Sequence, residues 1–166
     1  MADTTATSEK AIERKYLAHY LDCSPSSTAT YERIGKDLEE LNIDMNLTVD
    51  TKNNILGETS VKAHGYQPSA DVDPYIARKG SKTFDYLQGL IDNRAEGDDL
   101  KTDTVEVHTW EEATEGKYTA YKDECYVEIK SYGGNTDGYQ IPYTLHYTNV
   151  RTRGTFDPTT KTFTAA

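Results

Sequence analysis

At 166 residues and a net charge of −10, the chain is long enough to build one domain around a real core, yet only 36% of it is hydrophobic and its mean hydropathy is −0.77. That balance excludes a phosphate-neutralising nucleic-acid clamp, which needs clustered Lys and Arg, and it excludes attraction to an anionic membrane surface. No apolar run approaches the length of a bilayer crossing, and two widely separated cysteines, Cys23 and Cys125, predict neither a disulfide framework nor a metal cage. With apolar residues scarce, each element has to gather them on one face, as half-exposed antiparallel sheets do. Tyr outnumbers Phe by 13 to 3, and a phenol suits a surface that is wet in the free chain and buried in an assembly.

Residues 1–10 are rich in Ala, Thr and Ser without apolar periodicity, and 1–14 are expected to form a flexible arm. Ile12, Tyr16 and Tyr20, with Leu17 and Leu21, have the spacing of one helix face. The strongest local signal is at 41–50. There Leu41, Ile43, Met45, Leu47 and Val49 alternate with Asn42, Asp44, Asn46, Thr48 and Asp50, which predicts a strand with one core face and one wet face. Thr51-Lys52-Asn53-Asn54 is turn chemistry, because Asn tolerates positive φ, and a second strand is expected over 55–66. Pro68 and Pro74 make 66–80 an irregular connection.

One helix follows, capped by Ser81 or Thr83, with an apolar stripe of Phe84, Leu87, Leu90 and Ile91 and with Gly97 just past its end. From residue 102 the pattern returns to period two. Val105 and Val107 alternate with Thr104, Glu106 and His108, and Cys125, Val127 and Ile129 with Tyr126, Glu128 and Lys130. The cluster Gly133-Gly134-Asn135-Thr136-Asp137-Gly138 marks a hairpin turn. Tyr139, Ile141, Tyr143, Leu145 and Tyr147 then share one face, and Asp157-Pro158 turns the chain into a last strand at 162–164. Without a repeat, linker or break in composition, 1–166 reads as one mainly β (α+β) domain, an antiparallel β-sandwich or barrel with one flanking α-helix.

Chemistry is hard to place on this chain. His19, His64, His108 and His146 are dispersed and make no H-E-x-x-H spacing, and no G-x-S-x-G elbow is present. Cys125 falls on the apolar phase of its strand, as a small buried hydrophobe would. Asp71 with Asp73 and Asp98 with Asp99 lack the alternating ligands of a calcium loop, and Glu39-Glu40 and Glu111-Glu112 read as solvated faces. Gly133-Gly134 does not precede a helix, so it is no phosphate cradle. The expectation is a chain without catalytic, metal or cofactor site.

Four stretches together resemble the major tail tube proteins of tailed bacteriophages with Gram-positive hosts. They are YERIGKDLEEL at 31–41, KNNILGET at 52–59, the run from Gly65-Tyr66 to Asp73-Pro74-Tyr75, and VEVHTW at 105–110 followed by Ser131-Tyr132-Gly133-Gly134 and Gly138-Tyr139-Gln140-Ile141-Pro142. The resemblance implies a tail-tube-like fold and a strand, rather than a helix, over residues 15–22. It also implies self-assembly into hexameric rings that stack into a hollow tube, with tape-measure protein and genomic DNA in the lumen. Sheath, baseplate and terminator proteins would be further neighbours. The implied place is a virion tail, assembled in the host bacterial cytoplasm. On this reading Asn42, Asp44, Asn46 and Thr48 face the channel, where carboxylates would repel phosphates across a Debye length of about 8 Å. Lys52, Asn53 and Asn54 reach the next ring. Other readings fit the same residues: a tail terminator or baseplate β-protein, the tube of a phage-derived injection particle, or a carbohydrate-binding β-sandwich suggested by the many Tyr and Trp110.

Overall fold

A computed structural model describes residues 9–166, apart from the side chain of Glu112; the first eight residues of the expected arm lie outside it. After a 3₁₀ turn at Arg14–Tyr16 come β1 (Leu17–Asp22), β2 (Tyr31–Ile34), β3 (Ile43–Asp44), β4 (Thr48–Asn53), β5 (Thr59–His64) and β6 (Ser69–Val72). The helix α1 (Lys82–Asp92) and a 3₁₀ turn at Gly97–Leu100 precede two long strands, β7 (Lys101–Thr114) and β8 (Lys117–Ile129). Then follow β9 (Gly133–Asn135), β10 (Gly138–Gln140), β11 (Tyr143–Asp157) and β12 (Thr162–Ala165). Eight strands form one antiparallel sheet in the order β2-β1-β7-β8-β11-β6-β3, with β12 added to β11, while β4–β5 and β9–β10 are separate hairpins. The chain is thus mainly β with one flanking helix, as its alternating patterns predict.

The two ends of this sheet bury opposite faces. Ala120 and Cys125 lie an odd number of residues apart on β8, so their side chains leave the sheet on opposite sides. Ala120 pairs with Val107 and packs with Tyr20, Tyr31, Val105 and Phe156. The sheet curls around this cluster far enough for Tyr31 to meet Phe156 edge-on at 5.8 Å and for Lys161, just before β12, to reach Glu32 on β2 at 3.3 Å. Cys125, by contrast, joins Leu21, Val127, Tyr143 and Leu145 beneath Leu87, Leu90 and Ile91 of α1. Each fully buried aliphatic side chain removes enough apolar surface from water to contribute about 1.5–3 kcal/mol.

Ser81 caps α1, its hydroxyl accepting from the Phe84 N–H. At the other end the Ala95 N–H donates to the Leu90 carbonyl and the Arg94 N–H to that of Ile91. That is a Schellman closure, with Arg94 itself in the left-handed region at φ +46°. The expected role of Gly97 therefore belongs to Arg94, and Gly97 instead opens the following 3₁₀ turn.

Three further expectations change. The irregular connection at 66–80 contains β6, whose Ala70 and Val72 are buried where it pairs with β11. Gly133 to Gln140 fold into a small hairpin of their own, and Pro142 ends it before β11 begins. Residues 17–22 form a strand, as the resemblance implies, but its burial does not alternate, because both faces of β1 are covered.

That double covering traps polar groups. Past the edge of α1, the helix-bearing face continues into Glu106, Asp123 and Arg151, with the buried His19 beside them. Arg151 reaches Asp123 at 3.2 Å and Glu106 at 3.5 Å, and its guanidinium lies 4.3 Å over the Tyr121 ring. His108 shares a 2.7 Å hydrogen bond with Glu106 and stacks on Trp110 at 4.5 Å. Burial pushes Asp123 up to about 6 against the pull of Arg151, and pushes His19 down to about 4 against the pull of Glu106. Burial would raise Glu106 too, but the hydrogen bond to His108 and the nearby cationic groups hold it below its usual value.

Two predictions follow from this packing. Leu87→Ala opens a cavity under α1 and should cost about 2–5 kcal/mol by urea unfolding, whereas Leu56→Ala, at an exposed site, should stay within about 0.5 kcal/mol. For pH, the signs oppose. Between about pH 6.5 and 4 unfolded His19 takes a proton that the folded form refuses, so acidification lowers stability. Between about pH 6 and 4 folded Asp123 holds a proton that the unfolded form lacks, so acidification raises it. Asp123→Asn removes the second effect. Its stability should fall more steeply than that of the parent below pH 6, by up to about 1.4 kcal/mol per pH unit, in urea titrations from pH 7 to 4.

Candidate assembly interface

The hairpin β4–β5 has six cross-strand pairs, from Thr48↔His64 at its root to Asn53↔Thr59 near its tip. Among the described residues it pairs with no other strand, and every residue in both strands is exposed. Alternation still sorts its side chains. Val49 opposite Ala63 and Thr51 opposite Val61 make one face, while Thr48 with His64, Asp50 with Lys62 and Lys52 with Ser60 make the other. At the tip the Asn54 side-chain oxygen accepts from the N–H groups of Leu56 and Glu58, both at 2.9 Å, and Gly57 supplies the positive φ of +78° that closes the turn. This geometry carries Ile55 and Leu56 outward, at 103% and 76% exposure, in line with Val49 at 55% and Val61 at 64%. An isolated two-stranded hairpin is marginally stable at best in water. This one exposes an apolar face and an apolar tip.

The root is tied down by hydrogen bonds. Asn46, at φ +48°, donates its side-chain amide to the Gln67 carbonyl at 3.0 Å, and the Gln67 N–H donates to the Met45 carbonyl. The register of β8 with β11 is interrupted between Tyr147 and Arg151, and Asn149 in that interruption, at φ +67°, donates to the Tyr66 carbonyl at 2.7 Å. Around the root, Ile43, Met45, Tyr66 and Pro68 wall a pocket of about 470 Å³ whose floor is the Glu106–Asp123–Arg151 cluster.

The kink at Asn46 breaks the strand expected over 41–50 into β3 and β4. Asn can occupy the left-handed region that other residues avoid, and here its side chain makes the bonds that hold the break. Asn42 bonds Glu40 in the loop before β3, Asp44 lies on the sheet edge, Asn46 is the kink itself, and Thr48 begins the hairpin. The four residues expected to share a channel-facing strand therefore do not lie on one strand. Leu41 packs half-buried against the core beneath α1, and Ile43 and Leu47 are half-buried too, whereas Met45 and Val49 are exposed, so the expected core face is realised only in part among the described residues. Lys52 and Asn53 end β4 and Asn54 begins the turn, which puts all three at the exposed far end of the hairpin. The apolar residues beside them, Ile55, Leu56 and Val61, did not stand out in the sequence as site residues, although two adjacent aliphatic residues in a turn were the available signal.

Among the described residues no three His, Cys, Asp or Glu side chains gather to hold a metal ion, and no helix is long and apolar enough to cross a membrane. Cys23 and Cys125 are buried, and burial pushes the Cys23 thiol up to about 11 and the Cys125 thiol higher still.

No family model matches this sequence, and no curated protein matches it. Solved structures do. The tube-terminating cap of the anti-feeding prophage superposes with a TM-score of 0.54 at 11% identity, over 93% of this chain and 99% of the cap. The sheath/tube terminator of an extracellular contractile injection system (PVC), in its extended state, gives a TM-score of 0.50 at 11% identity, over 87% of this chain and 97% of the terminator. Both likenesses span nearly the whole of both chains, and neither is to a tube-building subunit or to a Gram-positive phage type. The chain shares the fold of these two terminating proteins.

Proposed function

We propose that this chain is a non-enzymatic structural subunit of a phage-tail-like particle, and that it closes the end of the particle's tube as a single ring. The observation that carries this reading is the fold likeness to two tube-terminating proteins across almost their full lengths. Of the sequence readings, the terminator is thereby favoured over the polymerising tube subunit. Its partners would be further copies of itself in a hexameric ring, the last ring of the tube, and a sheath where the tail contracts. Particle and phage share this architecture, so the setting is a virion tail or an injection particle derived from one, assembled in a bacterial cytoplasm. An acidic ring suits such a place, since a chain of net charge −10 repels nucleic-acid phosphates passing through or stopped behind it.

The hairpin β4–β5 is the element through which a copy would grip its neighbour, with Lys52, Asn53 and Asn54 flanking the apolar tip at the reach of an adjacent ring. A second reading, the tube subunit itself, draws on this same hairpin, because a reaching arm also serves stacking without end. Electron microscopy of the purified chain separates the two. Discrete rings that do not lengthen with concentration, and that bind the ends of preformed tubes, are expected of a terminator. Tubes of indefinite length would transfer the assignment to the tube subunit, and a strict monomer at all concentrations would sink both. The variant Ile55→Asp/Leu56→Asp should remain folded, with an unfolding free energy within about 0.5 kcal/mol of the parent, yet lose ring formation. Rings that persist in it would remove the hairpin tip from the interface.

A further inference from the structure

Copies of a chain with net charge −10 repel one another at long range, so they adhere where the surface sign reverses. The sign reverses beside β2. Among the described residues this strand pairs with β1 and with no second strand on its other edge. Against that edge lies a groove of about 640 Å³ into which Arg14, Lys15, Arg33, Lys36 and Lys161 converge, five cations against the carboxylates of Glu32, Glu39 and Glu40. Two of the five are matched within the chain, Lys161 by Glu32 at 3.3 Å and Lys15 by Glu13 at 2.7 Å. The two guanidinium groups spend their hydrogen bonds on neutral partners: Arg14 donates to the carbonyls of Leu17 and Leu41, and Arg33 to that of Lys15. Their charge, with that of the exposed Lys36, faces outward over an apolar base that includes Ile34 and Leu38.

The complementary surface lies on the same chain at the other end of α1. Between Lys82 and Lys101 the sequence carries Asp85, Asp92, Glu96, Asp98 and Asp99 against one cation, Arg94. Glu96 and Asp99 are exposed. The approach to the helix is pinned next to β2, because Arg78 makes a bidentate pair with Asp37 at 2.6 and 2.9 Å. The eleven residues of α1 then carry the acidic end about 16 Å away. A basic groove and an acidic segment at separate places on one chain make a heterologous, head-to-tail contact, the kind that closes rings.

We infer that the β2 groove of one copy receives the acidic segment 92–99 of the next, and that this contact joins neighbours within the ring. The inference rests on the ring reading above and adds the surface that closes it. Guanidinium groups already oriented by backbone carbonyls meet incoming carboxylates with little further ordering, and such charge-assisted bonds are the strong ones.

The test reverses charge on each side. Arg33→Glu/Lys36→Glu alters the groove, Glu96→Lys/Asp99→Lys alters the acidic segment, and a third protein carries all four changes. Thermal unfolding checks that each remains folded, and mass photometry or sedimentation in low salt reads association. Each two-site variant should associate about tenfold more weakly or worse, since like charges brought together are costly. The four-site variant, with both patches inverted, should recover rings, and salt at about 0.5 M should weaken rings of the parent and the four-site variant alike. Rings unaffected by either two-site change, or four-site variants no better than the two-site ones, would overturn this contact while leaving the ring reading standing. A parent chain that never forms rings would sink both.

Discussion

The ladder between β8 and β11 divides the molecule, and the division decides where everything else can go. On one side of its interruption, from Tyr143↔Ile129 to Tyr147↔Cys125, the helix-bearing face is apolar and α1 covers it. On the other side, from Arg151↔Asp123 onward, the same face is ionic, and the apolar residues move to the opposite face, where the sheet curls over them. The interruption itself, residues 148–150 opposite Glu124, is where Asn149 reaches out to hold the hairpin root. A regular ladder would keep the two cores but release the arm.

The arm is the part of the chain whose stability is not local. Few apolar residues are available, and several of them, Val49, Ile55, Leu56 and Val61, sit outside both cores on a two-stranded element that cannot shield them. In a folded monomer such placement costs free energy relative to burial, at about 25 cal/mol for each Å² left wet. Such placement is what the proposed ring would use. A net charge of −10 makes free copies repel one another while the apolar arm is exposed.

Much of the architecture was legible because the long strands alternate cleanly. Val105 and Val107, Cys125 and Val127, Tyr143 and Leu145 are all buried on the phases their spacing indicates. Ser81 and the stripe through Leu87, Leu90 and Ile91 located the helix for the same reason. The failures share a cause, which is that period-two alternation says a face is apolar without saying what covers it. At 41–50 the pattern was real but its covering is partial, with Leu41 against the core and Met45 and Val49 exposed, and a left-handed Asn46 that alternation cannot see splits it in two. His19 shares its strand face with Leu21, and Asp123 with Cys125, so alternation places them on core-facing phases, and there they are buried as polar groups past the edge of α1. The Lys52-Asn53-Asn54 tip was visible as turn chemistry, whereas the charge reversal beside β2 depends on Arg14, Arg33 and Lys161 coming together from distant stretches of sequence.

The two thiols have a consequence of their own. Cys23 and Cys125 are buried and held protonated by their surroundings, and only the thiolate attacks a disulfide or an alkylating reagent. In the folded chain both sulfurs are therefore poorly placed to act as nucleophiles, being buried and protonated. A cysteine introduced at Leu56 would stand alone as a reactive handle, so a single fluorophore or gold cluster could be set on the hairpin tip of the otherwise unaltered chain.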